Sequence, residues 1–355
     1  MNITSVIIIC ILYSYGLILL YITYLAKKNG EKGAFVNNAA NSIVFLTSLT
    51  SNIVIINIIN TLNATFIAFP FDFLMIIFVT FYIPIFYLLV RREKRIVGER
   101  KSLAEETREE TKKIPLKYDI YRKLTHLVVL GIIFFYFTLG FLIQNFFIYI
   151  LNIFPSFFIG MFDIGSDIMI FTQNLVVFLV GVSMIGLLTA EFSRILKPKY
   201  YPLKAVNQIL KKKELHMRFG PHISMSIGCF SIILLYGLIQ PVGPMIICTS
   251  MVIAVSGDAS SNLIGRIFGK KKIRNTEKTY EGLIAGIIAA FIFGFIVLNL
   301  LQNVYLLKNL GIFFIPLLGS IILGFIDYLD LEIDDNLSYI FILSTVLFFC
   351  TVLFF

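Results

Sequence analysis

Long apolar runs recur along the whole chain and are separated by short polar or charged segments. A run of about 20 apolar residues is what an α-helix needs to cross the hydrocarbon core of a bilayer. The strand alternation that is typical of an outer-membrane barrel is absent from the sequence. We therefore predict an all-α, polytopic integral membrane protein with about ten transmembrane helices. The predicted spans lie near residues 4–26, 40–62, 66–90, 124–144, 170–190, 222–240, 244–264, 281–301, 310–328 and 338–355.

Three segments need separate interpretation. The first run begins at Thr4, with no basic region before it and no small-residue cleavage site after it, which indicates a retained span and not a removed signal peptide. The run at 40–62 contains many Asn, Thr and Ser residues and is the weakest of the predicted spans. The segment 145–168, which contains Pro155, is predicted to be an outer loop with an interfacial piece.

Composition and charge agree with a membrane protein. The chain is 58% hydrophobic and only 14% charged, and its formal net charge is +9. Almost all Lys and Arg residues fall in the segments 27–32, 91–123, 194–218 and 266–278. Short basic loops stay on the cytoplasmic side of a membrane, so the positive charge predicts topology and argues against a nucleic-acid partner. The protein is then expected to be surrounded by membrane lipids, with both termini on the outer side of the membrane.

The charged segment divides the chain into three predicted parts. Residues 1–90 form an N-terminal three-helix membrane unit without a chemical motif, and residues 91–123 form a charged cytoplasmic loop or solvated helix. Residues 124–355 form the membrane domain that contains every candidate site residue. The four cysteines all lie in apolar runs, which is typical of buried small side chains and predicts no disulfide or zinc site.

Asp258 is the most informative residue, because it lies deep in the apolar run 244–264. An ionised carboxylate there is unfavourable unless it faces a cavity, a partner or a metal ion. Asn262, Gly265 and Gly269 follow on the same helix face. That face offers a carboxylate, an amide and two points of close approach for a phosphate. The alternatives are a juxtamembrane acid and a small-xxx-small packing motif.

A basic cluster and a helix start follow directly. Lys270 and Lys271 are candidates to hold a polyphosphate, although each is equally typical of a cytoplasmic loop. Lys278 precedes Thr279, which can cap the next helix, and the free N–H groups of a helix start bind phosphate. Glu281 is either a metal ligand or a first-turn acid that the helix dipole favours.

An acidic segment closes the set, at residues 327–336. Asp334, Asp335 and Asn336 provide oxygen ligands of the kind that Mg²⁺ prefers. The alternative is a solvated acidic loop between two spans. This loop falls on the same side as the basic loops in the predicted topology. Since an acidic cytoplasmic loop without a single Lys or Arg is unusual, we favour a site.

Two short pairs complete the candidates. Arg122, Lys123 and His126 stand at the start of the span 124–144, and Arg122 and His126 share a helix face. Glu191 and Arg194 stand at the end of another span, where a local salt bridge is the alternative. All candidate residues lie at the cytoplasmic ends of spans, and this convergence predicts one site.

The order of these motifs resembles the dolichol kinase and phytol kinase family, membrane enzymes that phosphorylate isoprenoid alcohols with CTP. The resemblance covers about 118–340 and is most specific over 257–282. It is carried by Arg122–Lys123–x–x–His126, Glu191–x–x–Arg194, Gly257–Asp258–Ala259–Ser260, Gly265–Arg266, Gly269–Lys270, Lys278–Thr279–x–Glu281–Gly282 and Asp334–Asp335–Asn336.

The sequence departs from the family pattern in two places. Glu277 stands where the family often has Gly, and Ser338 stands in a segment where it often has Pro. Phosphatidate cytidylyltransferases and CDP-archaeol synthases share a related Asp and Lys-Thr-x-Glu-Gly pattern and are the rival interpretation. Their closing Asp-Arg-x-Asp-Ser motif is absent, which favours the kinase. A non-enzymatic transporter is a third interpretation, but the acids cluster at one surface and not at the midplane.

The resemblance implies a CTP-dependent, Mg²⁺-dependent kinase that converts a long-chain polyprenol or dolichol-type alcohol to its monophosphate at the cytoplasmic face. It implies three groups of site residues. The catalytic residues would be Asp258, His126 and Asp335. The metal ligands would be Asp258, Glu281, Asp334 and Asp335. The nucleotide-binding residues would be Arg122, Lys123, Asn262, Gly265, Lys270, Lys271, Lys278, Thr279 and Asn336.

Overall fold

A computed structural model describes residues 2–59, 65–99, 126, 128–153, 168–204, 207, 210, 214–274, 276–305 and 309–351. Within these ranges the chain is almost entirely helical, and its one isolated β-bridge pairs Lys272 with Thr279. The helices are α1 (Ile3–Lys28), α2 (Lys32–Ile59), α3 (Phe71–Glu99), α4 (Val128–Phe134), α5 (Gly140–Ile153), α6 (Ile168–Leu196), α7 (Pro221–Tyr236), α8 (Val242–Phe268), α9 (Tyr280–Tyr305), α10 (Asn309–Leu329) and α11 (Asp335–Thr351).

The described helices confirm the helical class and are consistent with a membrane protein. Seven of them are long and apolar enough to cross a membrane, and the bent pair α4–α5 would make eight. Helices α7 and α11 are apolar but shorter, with 16 and 17 residues. Within the described residues, length and composition therefore support seven or eight spans, and the expected count of about ten is not confirmed.

Three helices extend beyond their predicted spans. Helix α2 begins at Lys32, ahead of the predicted span 40–62. Helix α3 continues to Glu99, so the first part of the charged segment 91–123 is helical. Long basic side chains let a helix continue past the apolar core, because their stems stay on apolar surface while the charge reaches water. Helix α5 reaches Ile153, so the predicted outer loop 145–168 begins as helix; the rest of both loops lies largely outside the described residues.

A π-helical segment, Phe135–Leu139, separates α4 from α5. The stretch Val129–Leu139, which includes this segment, is bent by 52° against the stretch Leu142–Ile150. The predicted span 124–144 thus falls on a bent pair of helices, which is the geometry of a broken span or of a re-entrant loop.

Glycines allow α8 and α9 to pack closely. A Cβ atom at Gly282 would lie 2.6 Å from the carbonyl oxygen of Ser261 and 2.9 Å from Cα of Gly265. A Cβ atom at Gly286 would lie 3.0 Å from the carbonyl oxygen of Gly257. Small residues at such crossings bring two backbones together, which gives this pair the geometry of a small-xxx-small contact.

Helix α2 carries a row of buried amides, which explains its weak apolar pattern. Asn37, Asn38, Asn41 and Asn52 are at most 2% exposed. The side chain of Asn38 donates to the carbonyl of Met217 at 2.8 Å, and other amides of the row bond to α7. Buried in protein, these groups find polar partners that lipid would not offer.

Several loops meet at one end of the helical bundle, which we call the site end. Met217 N donates to the Glu31 carboxylate at 3.3 Å, and the Arg218 guanidinium donates to the Glu332 carbonyl at 2.8 Å. Lys278 contacts Asp335 at 3.3 Å. The site end thus contains the α1–α2 turn and the segments 214–220, 269–279 and 330–334.

Candidate functional site

Asp258 lies on α8 at the site end and is only 6% exposed. Its Oδ1 accepts a hydrogen bond from Asn262 Nδ2 at 2.6 Å, one helical turn later. Its Oδ2 lies 3.7 Å from Nδ1 of His126, which is also buried. Two of the predicted catalytic residues and the predicted Asn262 therefore form one polar group, although His126 is distant from the other two in sequence.

Lys278 lies between three carboxylates. Its Nζ is 2.8 Å from Oδ1 of Asp327, 3.1 Å from Oδ1 of Asp330 and 3.3 Å from Oδ2 of Asp335. Burial alone would lower the pKa of Lys278, but the three negative charges outweigh it and raise the pKa above its ordinary value. The lysine that the sequence assigns to phosphate is thus a permanent cation held inside an acidic cluster.

Asp327 is a site residue that the sequence analysis did not single out. It is 4% exposed, and its Oδ1 accepts a hydrogen bond from the Tyr339 hydroxyl at 2.8 Å. Its Oδ2 accepts one from the Ser261 hydroxyl at 2.8 Å. The signal was present, because Asp327, like Asp258, is a carboxylate within a predicted apolar span. With Lys278 it ties α8, α10 and α11 together.

Asp334 caps α11. Its Oδ1 accepts hydrogen bonds from the backbone N–H and the side-chain amide of Asn336, at 3.0 and 2.9 Å. Its own N–H donates to Oδ1 of Asn37 at 2.8 Å. Two predicted ligands, Asp334 and Asn336, are thus bonded to each other, and α2 fixes their position.

Asp335 is the first residue of α11 and lies ahead of the predicted span 338–355. Partial burial raises its pKa to about 6, and the charges of nearby carboxylates add to this while Lys278 opposes it. Burial is therefore the main reason that this carboxyl holds its proton more strongly than an ordinary aspartate.

The segment between α8 and α9 is a small hairpin. Thr279 Oγ1 accepts the N–H of Gly282 at 3.2 Å, which confirms the predicted cap of α9. The Glu281 carboxylate accepts the N–H of Lys271 at 3.3 Å and closes the hairpin. The side chains of Lys270 and Lys271 are exposed at the site end.

Gly265 faces α9. A Cβ atom there would lie 3.0 Å from Thr279 Oγ1 and 3.4 Å from Cα of Gly282. This places Gly265 in the helix contact, which favours the packing interpretation of the glycine motif over direct approach to a phosphate.

A small cavity lies between His126 and Asn336. It has a volume of about 10 Å³, which is room for about one water molecule or one hydroxyl group. His126, Asn336 and Tyr339 supply its polar wall. The apolar wall is formed by Met225, Ala254, Val255 and Ile340.

A buried ion pair holds the loop beside this site. Arg194 donates to both oxygens of Glu191, at 2.8 and 2.7 Å, and both residues are at most 3% exposed. Arg194 also donates to the carbonyl of Arg218 at 2.8 Å, while Glu191 accepts the N–H of Gly220 at 2.8 Å. Glu191 and Arg194 therefore form a clamp that holds the segment 214–220 in place.

The predicted metal ligands do not form a metal centre in this arrangement. Among the described residues no group of three or more His, Cys, Asp and Glu side chains could hold a metal ion. The ammonium of Lys278 stands between the carboxylates instead. A metal role for Asp258, Glu281, Asp334 and Asp335 stays a prediction, and Arg122 and Lys123 lie outside the described residues.

Comparisons of the chain with protein-family models, with curated proteins and with solved structures found no match. The geometry of the site end and the sequence motifs therefore carry the functional argument.

Proposed function

We propose that this chain is a CTP-dependent kinase that phosphorylates a polyprenol or dolichol-type alcohol at the cytoplasmic face of a membrane. The observation that carries the proposal is the assembly of motif residues from distant segments. His126 lies against Asp258, Lys278 lies against Asp335, and one cavity borders both His126 and Asn336. A shared reaction is a physical reason for bringing buried charges together at a membrane surface.

Phosphoryl transfer depends on positioning and on neutralising charge. Lys270 and Lys271 are exposed beside Lys278, which keeps 21% of its side chain exposed. These cations are proposed to hold the phosphates. A magnesium ion would enter with CTP as part of the substrate, since the described carboxylates do not form a resident metal centre.

The proposed reaction joins the alcohol oxygen to the γ-phosphorus and breaks the bond from that phosphorus to the bridging oxygen of the departing CDP. The hydroxyl proton passes to His126. Asp258, 3.7 Å from the imidazole, stabilises the cation that forms. The products are a prenyl monophosphate and CDP.

The small cavity supports a lipid alcohol as the acceptor. It has room for one hydroxyl group, and its apolar wall belongs to α7, α8 and α11. A lipid alcohol has a polar head and an apolar tail. Such an acceptor matches a polar site that lies at the end of a bundle of apolar helices.

Incubation of the purified protein with γ-labelled CTP and a panel of lipid alcohols tests the proposal. We expect label in a lipid monophosphate and release of CDP. The pattern from Lys278 to Gly282 is shared with the cytidylyltransferases, so the same assay includes lipid phosphates as substrates. Pyrophosphate release with a lipid phosphate would establish that rival activity and contradict the kinase. Solute flux into liposomes without turnover would indicate a transporter.

A further inference from the structure

A second and larger cleft opens at the site end. Its volume is about 370 Å³, within the range of small-molecule sites. It is formed by the α1–α2 turn, by the segment 330–332 and by one arginine between them. Its lining residues are Glu31, Lys32, Gly33, Ala34, Arg218, Asp330, Leu331 and Glu332. The N-terminal unit, which contains no chemical motif in sequence, thus supplies half of its wall.

Arg218 holds the two walls in place. It is 5% exposed, and its guanidinium donates to the carbonyl of Gly33 at 3.2 Å and to the carbonyl of Glu332 at 2.8 Å. Its Nε is buried without a hydrogen-bond partner among the described atoms. On another side, Glu31 accepts the N–H of Met217. The cleft is therefore formed before any ligand binds.

Asp330 connects the cleft to the acidic cluster. Its side chain lines the cleft, and its Oδ1 lies 3.1 Å from Nζ of Lys278. The cleft is therefore separated by the Asp330 side chain from the lysine that the proposed function assigns to phosphate.

The charges of the lining select the part of a nucleotide that fits. Glu31, Asp330 and Glu332 are acidic, against the two cations Lys32 and Arg218. This balance disfavours a phosphate inside the cleft. Ionised carboxylates only accept hydrogen bonds, and they suit the hydroxyl groups of a ribose and the amine of a base.

We infer that this cleft binds the nucleoside half of the nucleotide, with the phosphates directed to Lys278. The inference rests on the proposed function, because it names the part of the same site that reads base and sugar. It also gives the N-terminal unit a direct role in nucleotide binding.

Gly33 allows a specific test. A Cβ atom there would meet only Nη1 of Arg218, at 3.8 Å, which is an ordinary contact. A leucine side chain at this position would enter the cleft without a collision at its Cβ. Gly131 of α4 is the matched control, since a Cβ atom there would meet nothing within 4 Å.

The experiment measures the Kd of a fluorescent CTP derivative, with magnesium, for wild type, Gly33→Leu and Gly131→Leu. We expect Gly33→Leu to raise the Kd at least tenfold and Gly131→Leu to leave it unchanged. Free cytidine should compete in the wild type. Inorganic tripolyphosphate should bind wild type and Gly33→Leu equally, because it contacts only the lysines that are proposed to hold the phosphates.

An equal Kd for Gly33→Leu and wild type would overturn the inference while leaving the kinase proposal intact. So would a loss of tripolyphosphate binding equal to the loss of nucleotide binding. A wild type that binds no nucleotide would remove both proposals. If Gly33→Leu does not fold, Glu332→Ala replaces it, because this side chain is exposed; we then expect at least a threefold rise in Kd, and no rise would contradict the inference.

Discussion

The ammonium of Lys278 lies 2.8 Å from Oδ1 of Asp327 and joins the turn before α9 to the last turn of α10. Asp327 is almost fully buried and also binds the hydroxyls of Ser261 and Tyr339. This one carboxylate therefore connects three helices of the site end. Its neighbour Asp330 contacts the same ammonium from a 41% exposed position.

Asp327→Asn should destabilise the protein far more than Asp330→Asn. Asn removes the buried charge that Lys278 contacts at 2.8 Å and weakens the hydrogen bonds from Ser261 and Tyr339, which costs about 2 kcal/mol although Asp335 stays near the lysine. Removing an exposed partner costs below about 1 kcal/mol. Thermal unfolding in detergent measures both variants, and equal melting temperatures would show that Asp327 does not anchor the cluster.

Glu191→Gln should disrupt the clamp on the segment 214–220. The loss should be about 3 kcal/mol, because Arg194 would remain buried and charged. Glu93→Gln is the matched control, since Glu93 pairs with the exposed Lys204 at 3.9 Å. We expect the control to unfold like wild type. Limited proteolysis would detect a released loop only in Glu191→Gln, and identical digestion patterns would count against the clamp.

Gly282→Ala should separate α8 from α9. The added methyl group would lie 2.6 Å from the carbonyl oxygen of Ser261, which is backbone and cannot turn away. Overpacking of this kind costs about 1–3 kcal/mol. Gly131→Ala, which adds the same group in open space, should be neutral or slightly stabilising. The test compares the melting temperatures of the two variants. An unchanged melting temperature in Gly282→Ala would refute close packing at this crossing.

The site end should face the cytoplasm. In a background where the native cysteines are replaced by serine, single cysteines at the exposed positions Lys28, Lys204, Lys271 and Glu332 should resist an impermeant thiol reagent in intact cells. A cysteine at Ile239, which is 37% exposed at the other end of α7, should react. Labelling of any of the first four from outside would contradict the prediction that these positions share the cytoplasmic side.

The sequence predicts the helices well because membrane spans are apolar over their whole length. It also predicts the Thr279 cap, and it offers the Glu191–Arg194 salt bridge as an alternative to a site role, since both are contacts within a few residues. Apolar periodicity does not report where a helix continues into water, and so α2 and α3 extend beyond their predicted ends.

Contacts between distant segments were not predictable from one sequence. Lys278 was assigned to phosphate because a helix start follows it, yet its three carboxylate partners lie 49 or more positions later. Asn37 belongs to a unit without a motif and still binds the N–H of Asp334. The recurring Asn residues on one face of an apolar helix were the available signal, and they indicate a buried protein contact.

The rate of phosphoryl transfer from CTP to a lipid alcohol by wild type and by Asp258→Asn tests the central claim most directly. Asn keeps the size of the side chain and removes the charge beside His126. We expect a folded variant whose turnover falls at least a hundredfold, which is about 2.7 kcal/mol of transition-state stabilisation. Wild-type turnover in Asp258→Asn, with normal expression and an unchanged melting temperature, would contradict the account.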